Sequence, residues 1–384
     1  MKPERFYALD VFRGATVALM ILVNNPGSWS HIYAPLEHAH WHGCTPTDLV
    51  FPFFLFAVGN AIAFVLPGLE QAGEAAFWTK VLKRTALIFL IGLFLNWFPF
   101  VKYNEAGELV AKPWTQLRLM GVLQRIALSY GIAMAILHWL KARGAFVFGM
   151  FLLLAYWFIC LYAHPADPFS LSGWFGTEVD KRILGEAHLY RGEGIPFDPE
   201  GLASGMGPVV QVLMGYFCGA YIMAKGKTAE MINGLFVSAA VLLFAGFVWD
   251  MFFPINKKIW TSSYVIYTTG LAQFIIAVML YFIEIRGQRG AWSRFFDVFG
   301  KNPLFIFMLS GMLPRLVALI RLPGPVSATG KPGFISPFGW YYEHICRAIF
   351  TDPRTASLLY AISFIVLMWL IVWWMDRKRI YIKV

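Results

Sequence analysis

Ten apolar stretches, each near the length of a bilayer crossing, run through this chain of 384 residues. A transmembrane helix needs about 20 mainly apolar residues, because it must cross a hydrocarbon core about 30 Å thick. Hydrophobic residues make up 58% of the chain and charged residues only 14%, whereas soluble domains carry about 25% charged residues. We therefore predict an all-α polytopic membrane protein and exclude a soluble enzyme, a disordered chain, a coiled coil and a disulfide scaffold.

The whole chain is expected to form one transmembrane domain without a soluble appendage. Its predicted spans are residues 11–25, 47–66, 81–98, 117–140, 146–163, 204–223, 232–253, 264–283, 303–320 and 357–375. The apolar stretch of the first span runs into Asn24, Asn25 and Pro26 rather than into the small residues of a signal-peptide cleavage site, so we expect it to be retained. No clear internal repeat of the kind that marks many secondary transporters is present.

The distribution of Lys and Arg predicts the orientation. Seventeen of them fall in the termini and short loops of one side, against thirteen in the longer loops of the other side. By the positive-inside rule both termini and residues 284–301 are cytoplasmic, while residues 26–46 and 164–203 lie outside. Anionic lipid headgroups account for the net charge of +10, so we expect the lipid bilayer as a partner and no nucleic acid.

The first outer loop concentrates histidines. His31, His38, His40 and His42 fall within twelve residues, and imidazole can exchange a proton near neutral pH, which favours acid–base chemistry or metal binding. Three alternate histidines would meet on one zinc ion only in an extended segment, and no second ligand set follows, so no metal is expected. A loop that is merely solvated by its histidines remains the plain alternative.

Two acidic segments are predicted to begin helices. In residues 45–48, Thr-Pro-Thr-Asp, Thr45 is the N-cap, proline the first helical residue and Asp48 the acid that completes the cap. We favour this capping role for Asp48 over a partnership with the histidines. Asp198, followed by Pro199, has the same pattern and is predicted to cap the sixth span.

Polar residues inside predicted spans need a partner or a cavity, because they are costly at membrane depth. Asn24 lies at the outer end of the first span, and Gln124 and Arg125 lie well inside the fourth. Asp10 and Arg13 are three residues apart and can pair on one helix face. Arg125 has no such neighbour in its own helix, so two roles are equally favoured for it: a structural ion pair, or the binding of an anionic group.

Seven short motifs follow one another along the chain: LDVFRG at 9–14, VN at 23–24, HAHWHG at 38–43, DLVFP at 48–52, GVLQR at 121–125, DPEG at 198–201 and PINKKIWTSSY at 254–264. In this order they resemble the heparan-α-glucosaminide N-acetyltransferase family, which includes shorter bacterial relatives of the NagX type. The resemblance runs from about residue 5 to the C-terminus and is poor around residues 321–356.

The resemblance implies transfer of acetyl from cytosolic acetyl-CoA to the amine of a glucosamine-type sugar at the extracytoplasmic face. The family's active-site histidine falls on His38 and its asparagine on Asn24, whereas His40 and His42 inherit no role. His38 would act as general base or as transient acetyl acceptor, and Asn24 could donate to the oxyanion. The motifs leave open which of the two routes is used and which amino sugar accepts the acetyl group.

A donor site follows from the charges of coenzyme A. Its phosphates suit guanidinium groups, which bind them in a bidentate manner. We predict that Arg125 and Gln124 line the acetyl-CoA passage and that Arg13 assists on the cytoplasmic side. The predicted protein is thus a multi-pass acyltransferase of the bacterial inner membrane. An amino-sugar permease and a non-catalytic scaffold are the rival hypotheses, and the sequence leaves open a homodimer and a bond between Cys44 and Cys346.

Overall fold

Helices dominate the fold of this chain, whose computed structural model describes residues 6–324 and 333–382. The α-helices are α1 Tyr7–Asn24, α2 Val50–Gln71, α3 Glu74–Trp97, α4 Val122–Ala163, α5 Gly176–Leu184, α6 Met206–Lys225, α7 Ala229–Asp250, α8 Ser262–Leu280, α9 Ala291–Lys301, α10 Pro303–Val317, α11 Pro337–Tyr341, α12 Arg347–Ile349 and α13 Pro353–Arg377. Two antiparallel hairpins complete the described part, β1 Val101–Tyr103 with β2 Leu109–Ala111, and β3 Leu322–Gly324 with β4 Gly333–Ile335.

Each of the ten predicted spans lies largely on one of these helices. Within the described residues, seven helices are long and apolar enough to cross a membrane. Three features explain why ten predicted spans correspond to seven such helices. Charged residues occupy the first turns of α3, α10 has only 15 residues, and α4 combines two predicted spans. Lys141, with φ 54°, interrupts the 42 residues of α4. The all-α polytopic fold is confirmed, and the number of ten crossings stays a prediction.

The loops collect at two ends of the helical bundle. We call outer end the one that carries residues 25–49, 98–121, 164–205 and 251–261, and inner end the opposite one. At the inner end the carbonyl of Gly300 accepts a hydrogen bond from Arg13 Nε at 2.9 Å, and Lys301 pairs with Asp376 near the end of α13 at 3.1 Å. The start of α1 and the end of α13 therefore lie at the same end, as an even number of crossings requires.

Close backbone contact joins α2 to α6 in the centre. A Cβ on Gly59 would lie 2.0 Å from the carbonyl oxygen of Val212, and one on Gly215 would lie 2.1 Å from that of Phe56. Small residues let membrane helices approach in this way, because packing rather than water exclusion holds them together. Large apolar side chains on the bundle's outside, such as Phe244 at 70% exposure, present the surface that lipid would cover.

The two predicted helix starts have different outcomes. Thr45 and Asp48 form a capping box at the short 3₁₀-helix Pro46–Leu49, which leads into α2, as predicted. The prediction for Asp198 is wrong, because α6 begins at Met206 and its N-cap is Gly205. Asp198 instead accepts two hydrogen bonds from the guanidinium of Arg118.

Candidate active site

A cavity of about 300 Å³ opens at the outer end between α1, α2, α4 and the loops above them. Polar groups line its upper part and apolar side chains its floor. The polar side chains are Asn24, His38, Asp48, Arg118, Glu193, Glu200, Lys257 and Lys258, and the floor includes Phe54, Leu123, Ile126 and Leu304. His38 and Asn24, the two predicted catalytic residues, thus line one cavity.

Asp48 holds His38 in this cavity. Its Oδ1 lies 2.6 Å from His38 Nδ1, and its Oδ2 accepts hydrogen bonds from the backbone N–H groups of Thr45 and Ala39, both at 3.0 Å. The Asp48 side chain is 1% exposed and that of His38 is 44% exposed. The carboxylate therefore performs both functions that were weighed against each other, helix capping and histidine binding. With Nδ1–H donating to Asp48, the other ring nitrogen, Nε2, is left as a proton acceptor.

Lys257 completes the group from the loop that joins α7 to α8. Its Nζ lies 3.1 Å from His38 Nδ1, 3.3 Å from Nε2 and 3.6 Å from Asp48 Oδ1. Burial lowers the pKa of Lys257, and the charges of Asp48 and Glu200 oppose that shift. The loop is fixed by a backbone hydrogen bond of 2.7 Å from Gly43 N–H to Ile255, which connects it to the histidine segment.

Ion pairs frame the mouth of the cavity. The guanidinium of Arg118 donates to both carboxylate oxygens of Asp198, at 2.9 and 2.7 Å, and to Glu200. Its charge lies 4.8 Å from the ring centre of Tyr190. Lys258 bridges Glu193, at 2.6 Å, and the carbonyl of His40, at 2.8 Å. These contacts tie loops far apart in sequence into one rim.

The structure places Arg125 and Gln124 away from this cavity. Arg125 is 2% exposed, donates to Ser204 Oγ at 2.6 Å and to the carbonyl of Gly201, and so anchors the loop before α6. Gln124 donates to the carbonyl of Leu119 at 3.1 Å and lines a neighbouring chamber. Asn24 lines both the cavity and that chamber.

A second cavity, of about 360 Å³, continues towards the inner end. It shares the apolar residues Phe54, Leu123, Ile126 and Leu304 with the first cavity, so the two cavities adjoin at these side chains, which we call the neck. Three cations line its inner part: Arg13, Arg84 and Lys301.

The three cations differ in how their charge is balanced. Arg13 pairs with Asp10 at 2.7 Å, as predicted, and Lys301 pairs with Asp297 at 2.8 Å. Arg84 packs over the ring of Tyr130 at 4.8 Å, and its buried Nε has no hydrogen-bond partner among the described residues. Arg84 is therefore the cation of this cavity that can most readily bind an anion.

The other histidines and the cysteines stand apart from this geometry. His40 contributes only its carbonyl, to Lys258, and His42 lies 3.4 Å from Asn256 Nδ2. Burial lowers the pKa of His42, against the charge of Asp250. Among the residues that the structure describes, no three His, Cys, Asp or Glu side chains converge as metal ligands would. All four cysteines are free thiols, so Cys44 and Cys346 are not bonded to each other.

Comparison with known proteins finds one family to which this chain is similar. The model of the heparan-alpha-glucosaminide N-acetyltransferase catalytic region matches residues 5–181, a range that contains His38, Asp48 and Arg84. Heparan-alpha-glucosaminide N-acetyltransferase of Homo sapiens is 25% identical over 368 residues, which cover 80% of this chain and 52% of the human protein. The Mus musculus protein of the same name is 23% identical over 360 residues, covering 79% and 53%.

The chain is similar to the heparan-α-glucosaminide N-acetyltransferase family, whose model matches less than half of its residues. The chain spans about half the length of the curated relatives it matches, and the resemblance inferred from the seven motifs is confirmed. In this chain, sequence reasoning missed three residues that line the cavities: Arg84, Arg118 and Lys257. Arg84 and Lys257 had a detectable signal, since Arg84 falls at the start of a predicted span and Lys257 within a family motif, but neither position reveals a partner.

Proposed function

We propose that this protein transfers acetyl from cytosolic acetyl-CoA to the amine of a glucosamine-type sugar at the extracytoplasmic face of a bacterial inner membrane. One observation carries the proposal: two cavities adjoin at the apolar neck, with cations lining the inner one and the His38–Asp48 pair lining the outer one. A donor whose phosphates stay on one side and whose thioester reaches the other would need such a passage.

The inner cavity suits the donor. Arg84 would bind a phosphate of coenzyme A, with Arg13 close by, because guanidinium groups form bidentate hydrogen bonds with phosphate oxygens. The apolar arm of the donor would lie along the neck of Phe54, Leu123 and Leu304. This arrangement would deliver the thioester carbonyl to the cavity that His38 lines, and it keeps the predicted role of Arg13 while replacing Arg125 and Gln124 by Arg84.

His38 would act on the acceptor amine. In a direct transfer, the unprotonated amine attacks the thioester carbonyl, its C–N bond forms as the C–S bond breaks, and His38 Nε2 passes the amine's proton to the sulfur of coenzyme A. The amide of Asn24 would donate to the transient oxyanion. Asp48 Oδ1, 2.6 Å from Nδ1, would hold the imidazole in the tautomer whose Nε2 can accept this proton.

A two-step route uses the same residues. Here His38 Nε2 attacks the thioester first, the C–S bond breaks, and coenzyme A leaves as its thiol with the proton that Nδ1 gives up. The amine then takes the acetyl group from Nε2 and returns its own proton to the imidazole. Purified protein mixed with radiolabelled acetyl-CoA in the absence of acceptor separates the routes. Label retained on wild-type protein and absent from His38→Asn protein would establish the acetyl-histidine intermediate, whereas no retained label despite turnover would establish direct transfer.

Proteoliposomes test the proposed function as a whole. Acetyl-CoA is supplied on the side of the inner end, glucosamine on the other, and the sugar products are identified by mass spectrometry. N-acetylglucosamine formed opposite the donor supports transmembrane acetyl transfer. Movement of glucosamine across the membrane without acetylation would refute it in favour of the amino-sugar permease.

A further inference from the structure

Lys257 reaches into the His38 cavity from a loop that Asn256 holds in place. Asn256 is fully buried, its backbone N–H donates to Thr261 Oγ1 at 3.0 Å, and its Oδ1 accepts the N–H of Ile259 at 3.1 Å. The backbone of Lys257 is thereby fixed beside His38, while its flexible four-carbon stem lets the ammonium turn. In the proposed steps of acetyl transfer this cation has no role.

The ammonium of Lys257 has hydrogen-bond donors to spare. Nδ1 of His38 lies 3.1 Å from Nζ but carries the proton that it donates to Asp48, so it cannot accept another. Nε2, at 3.3 Å, is the remaining acceptor on the ring, and Asp48 Oδ1 balances the charge from 3.6 Å, which is longer than a hydrogen bond. Lys257 forms no further hydrogen bond with the residues that the structure describes, although an ammonium carries three donors. Most of its N–H groups can therefore bind a ligand of the cavity that it lines.

The position of Nζ matches the place where the carbonyl oxygen of the donor must lie. In the two-step route the thioester carbon becomes bonded to His38 Nε2, and in direct transfer it becomes bonded to the nitrogen whose proton Nε2 accepts. The carbonyl oxygen is one bond further in either route. Since Nζ lies 3.3 Å from Nε2, a small rotation of the Lys257 side chain brings it within hydrogen-bond reach of that oxygen. A cation at this point stabilises the negative charge that the oxygen gains during the attack.

We propose that Lys257 is a catalytic residue whose ammonium turns from His38 Nε2 to the carbonyl oxygen of the thioester and stabilises the oxyanion that forms there. The turn leaves the lone pair of Nε2 free, so arrival of the donor exposes the base or nucleophile when it is needed. Lys257 keeps all its protons throughout, and it adds a full positive charge to the neutral amide that Asn24 would contribute. This inference rests on the proposed acetyl transfer and deepens it, because it names the group that balances the charge of the oxyanion.

Replacement of the ammonium by an apolar group tests this role in turnover. Lys257→Met protein should lose about 10²- to 10³-fold in kcat, the range for one oxyanion donor. Its KM for acetyl-CoA should change little, because the oxyanion charge exists only in the transition state. Lys257→Arg should recover part of the lost kcat, since a guanidinium keeps the charge and the N–H donors. Lys102→Met is the matched control, because Lys102 lies exposed on β1 at the outer end, and its kcat should equal that of the wild type.

Infrared spectroscopy supplies a readout that a merely structural role would not change. The probe is an unreactive ketone analogue of acetyl-CoA, with a methylene group in place of the sulfur and a ¹³C label at the carbonyl carbon. A hydrogen bond from an ammonium weakens the C=O bond and lowers its stretching frequency. The bound ketone should therefore absorb at a lower frequency in wild-type and Lys102→Met protein than in Lys257→Met protein.

Four outcomes decide the inference once thermal unfolding has shown that the variants fold. If Lys257→Met protein does not fold, Lys257→Gln, which also lacks the charge, takes its place. A lowered kcat together with a raised carbonyl frequency supports the inference, and an unchanged kcat would overturn it while acetyl transfer stands. A lowered kcat with an unchanged carbonyl frequency would overturn it as well, because Lys257 would then act only by holding Asp48 and His38. If wild-type protein acetylates no amino sugar, the proposed function fails, and this inference fails with it.

Discussion

Replacing Asp48 by Asn isolates the positioning of His38 from the capping of α2. In the wild type, Oδ2 receives the backbone N–H groups of Thr45 and Ala39, and Oδ1 lies 2.6 Å from His38 Nδ1. Asparagine keeps one oxygen for the two backbone donors but presents an NH₂ group to the imidazole. That group can only donate to Nδ1, which moves the ring proton to Nε2 and removes the base.

The expected magnitudes differ for activity and stability. A histidine held in the wrong tautomer costs about 10³- to 10⁴-fold in kcat. Loss of a hydrogen bond to a charged group costs about 1.5–3 kcal/mol of unfolding free energy, and the Lys257 ammonium also loses the carboxylate that lies 3.6 Å away. Asp48→Ala should lose less activity, because no amide then holds the ring in the wrong tautomer. It should lose about 2 kcal/mol more stability, because the two backbone donors and the helix cap are then unsatisfied as well.

Two assays on each variant separate these effects. Release of the coenzyme A thiol with a saturating amino-sugar acceptor gives kcat, and thermal unfolding in detergent gives the stability. We predict that the Asp48→Asn protein has the lower kcat and the higher stability, and that the Asp48→Ala protein has the higher kcat and the lower stability. If Asp48→Asn protein keeps kcat within tenfold of the wild type, Asp48 serves only as a cap and the tautomer argument is refuted.

Two further predictions concern the donor and the loop before α6. Arg84→Gln should raise the KM for acetyl-CoA about tenfold or more, because a charge-assisted phosphate contact is lost. Lys80→Gln, which changes an exposed residue of the same helix, should leave this KM unchanged. Equal KM values for the two variants would remove Arg84 from the donor site. Asp180, in α5, accepts hydrogen bonds from the backbone N–H groups of Leu202 and Ala203 in the loop before α6. Burial raises the pKa of this carboxyl group from 3.8 to about 6, so its stabilising contribution is full below about pH 4 and is lost as pH rises through 6. Between pH 4 and 7 the unfolding free energy of the Asp180→Asn protein should therefore change by about 3 kcal/mol less than that of the wild type. Thermal unfolding at the two pH values measures this change, and an equal change in wild type and variant would contradict the prediction.

The sequence predicted the helices well because hydropathy and length decide which segments can cross a bilayer. It predicted their ends less well, since polar first turns such as those of α3 continue the helix beyond the apolar stretch. The Asp198 cap failed for a different reason. A proline after an acid is typical of a helix start, but the carboxylate is used by Arg118, which is 80 residues earlier in the chain.

The same limit applies to the charged residues of the candidate site. His38 and Asp48 are ten residues apart, and their motifs made both visible in the sequence. Lys257 reaches His38 across 219 residues, a distance at which a single sequence carries no pairing signal. Arg125 and Arg84 are both cations within predicted spans, and only the structure distinguishes the arginine that is buried against Ser204 from the one that faces a cavity.

The central claim is that His38 performs the chemistry, and a comparison of two single histidine variants tests it most directly. The acetyl transfer rate of His38→Asn protein is measured beside that of His40→Asn, with folding of each verified by thermal unfolding. Loss of the general base should lower turnover of His38→Asn protein by about two to four orders of magnitude, while His40→Asn protein, which keeps its carbonyl contact with Lys258, should remain close to the wild type. Retained acetyl transfer by folded His38→Asn protein would contradict the account.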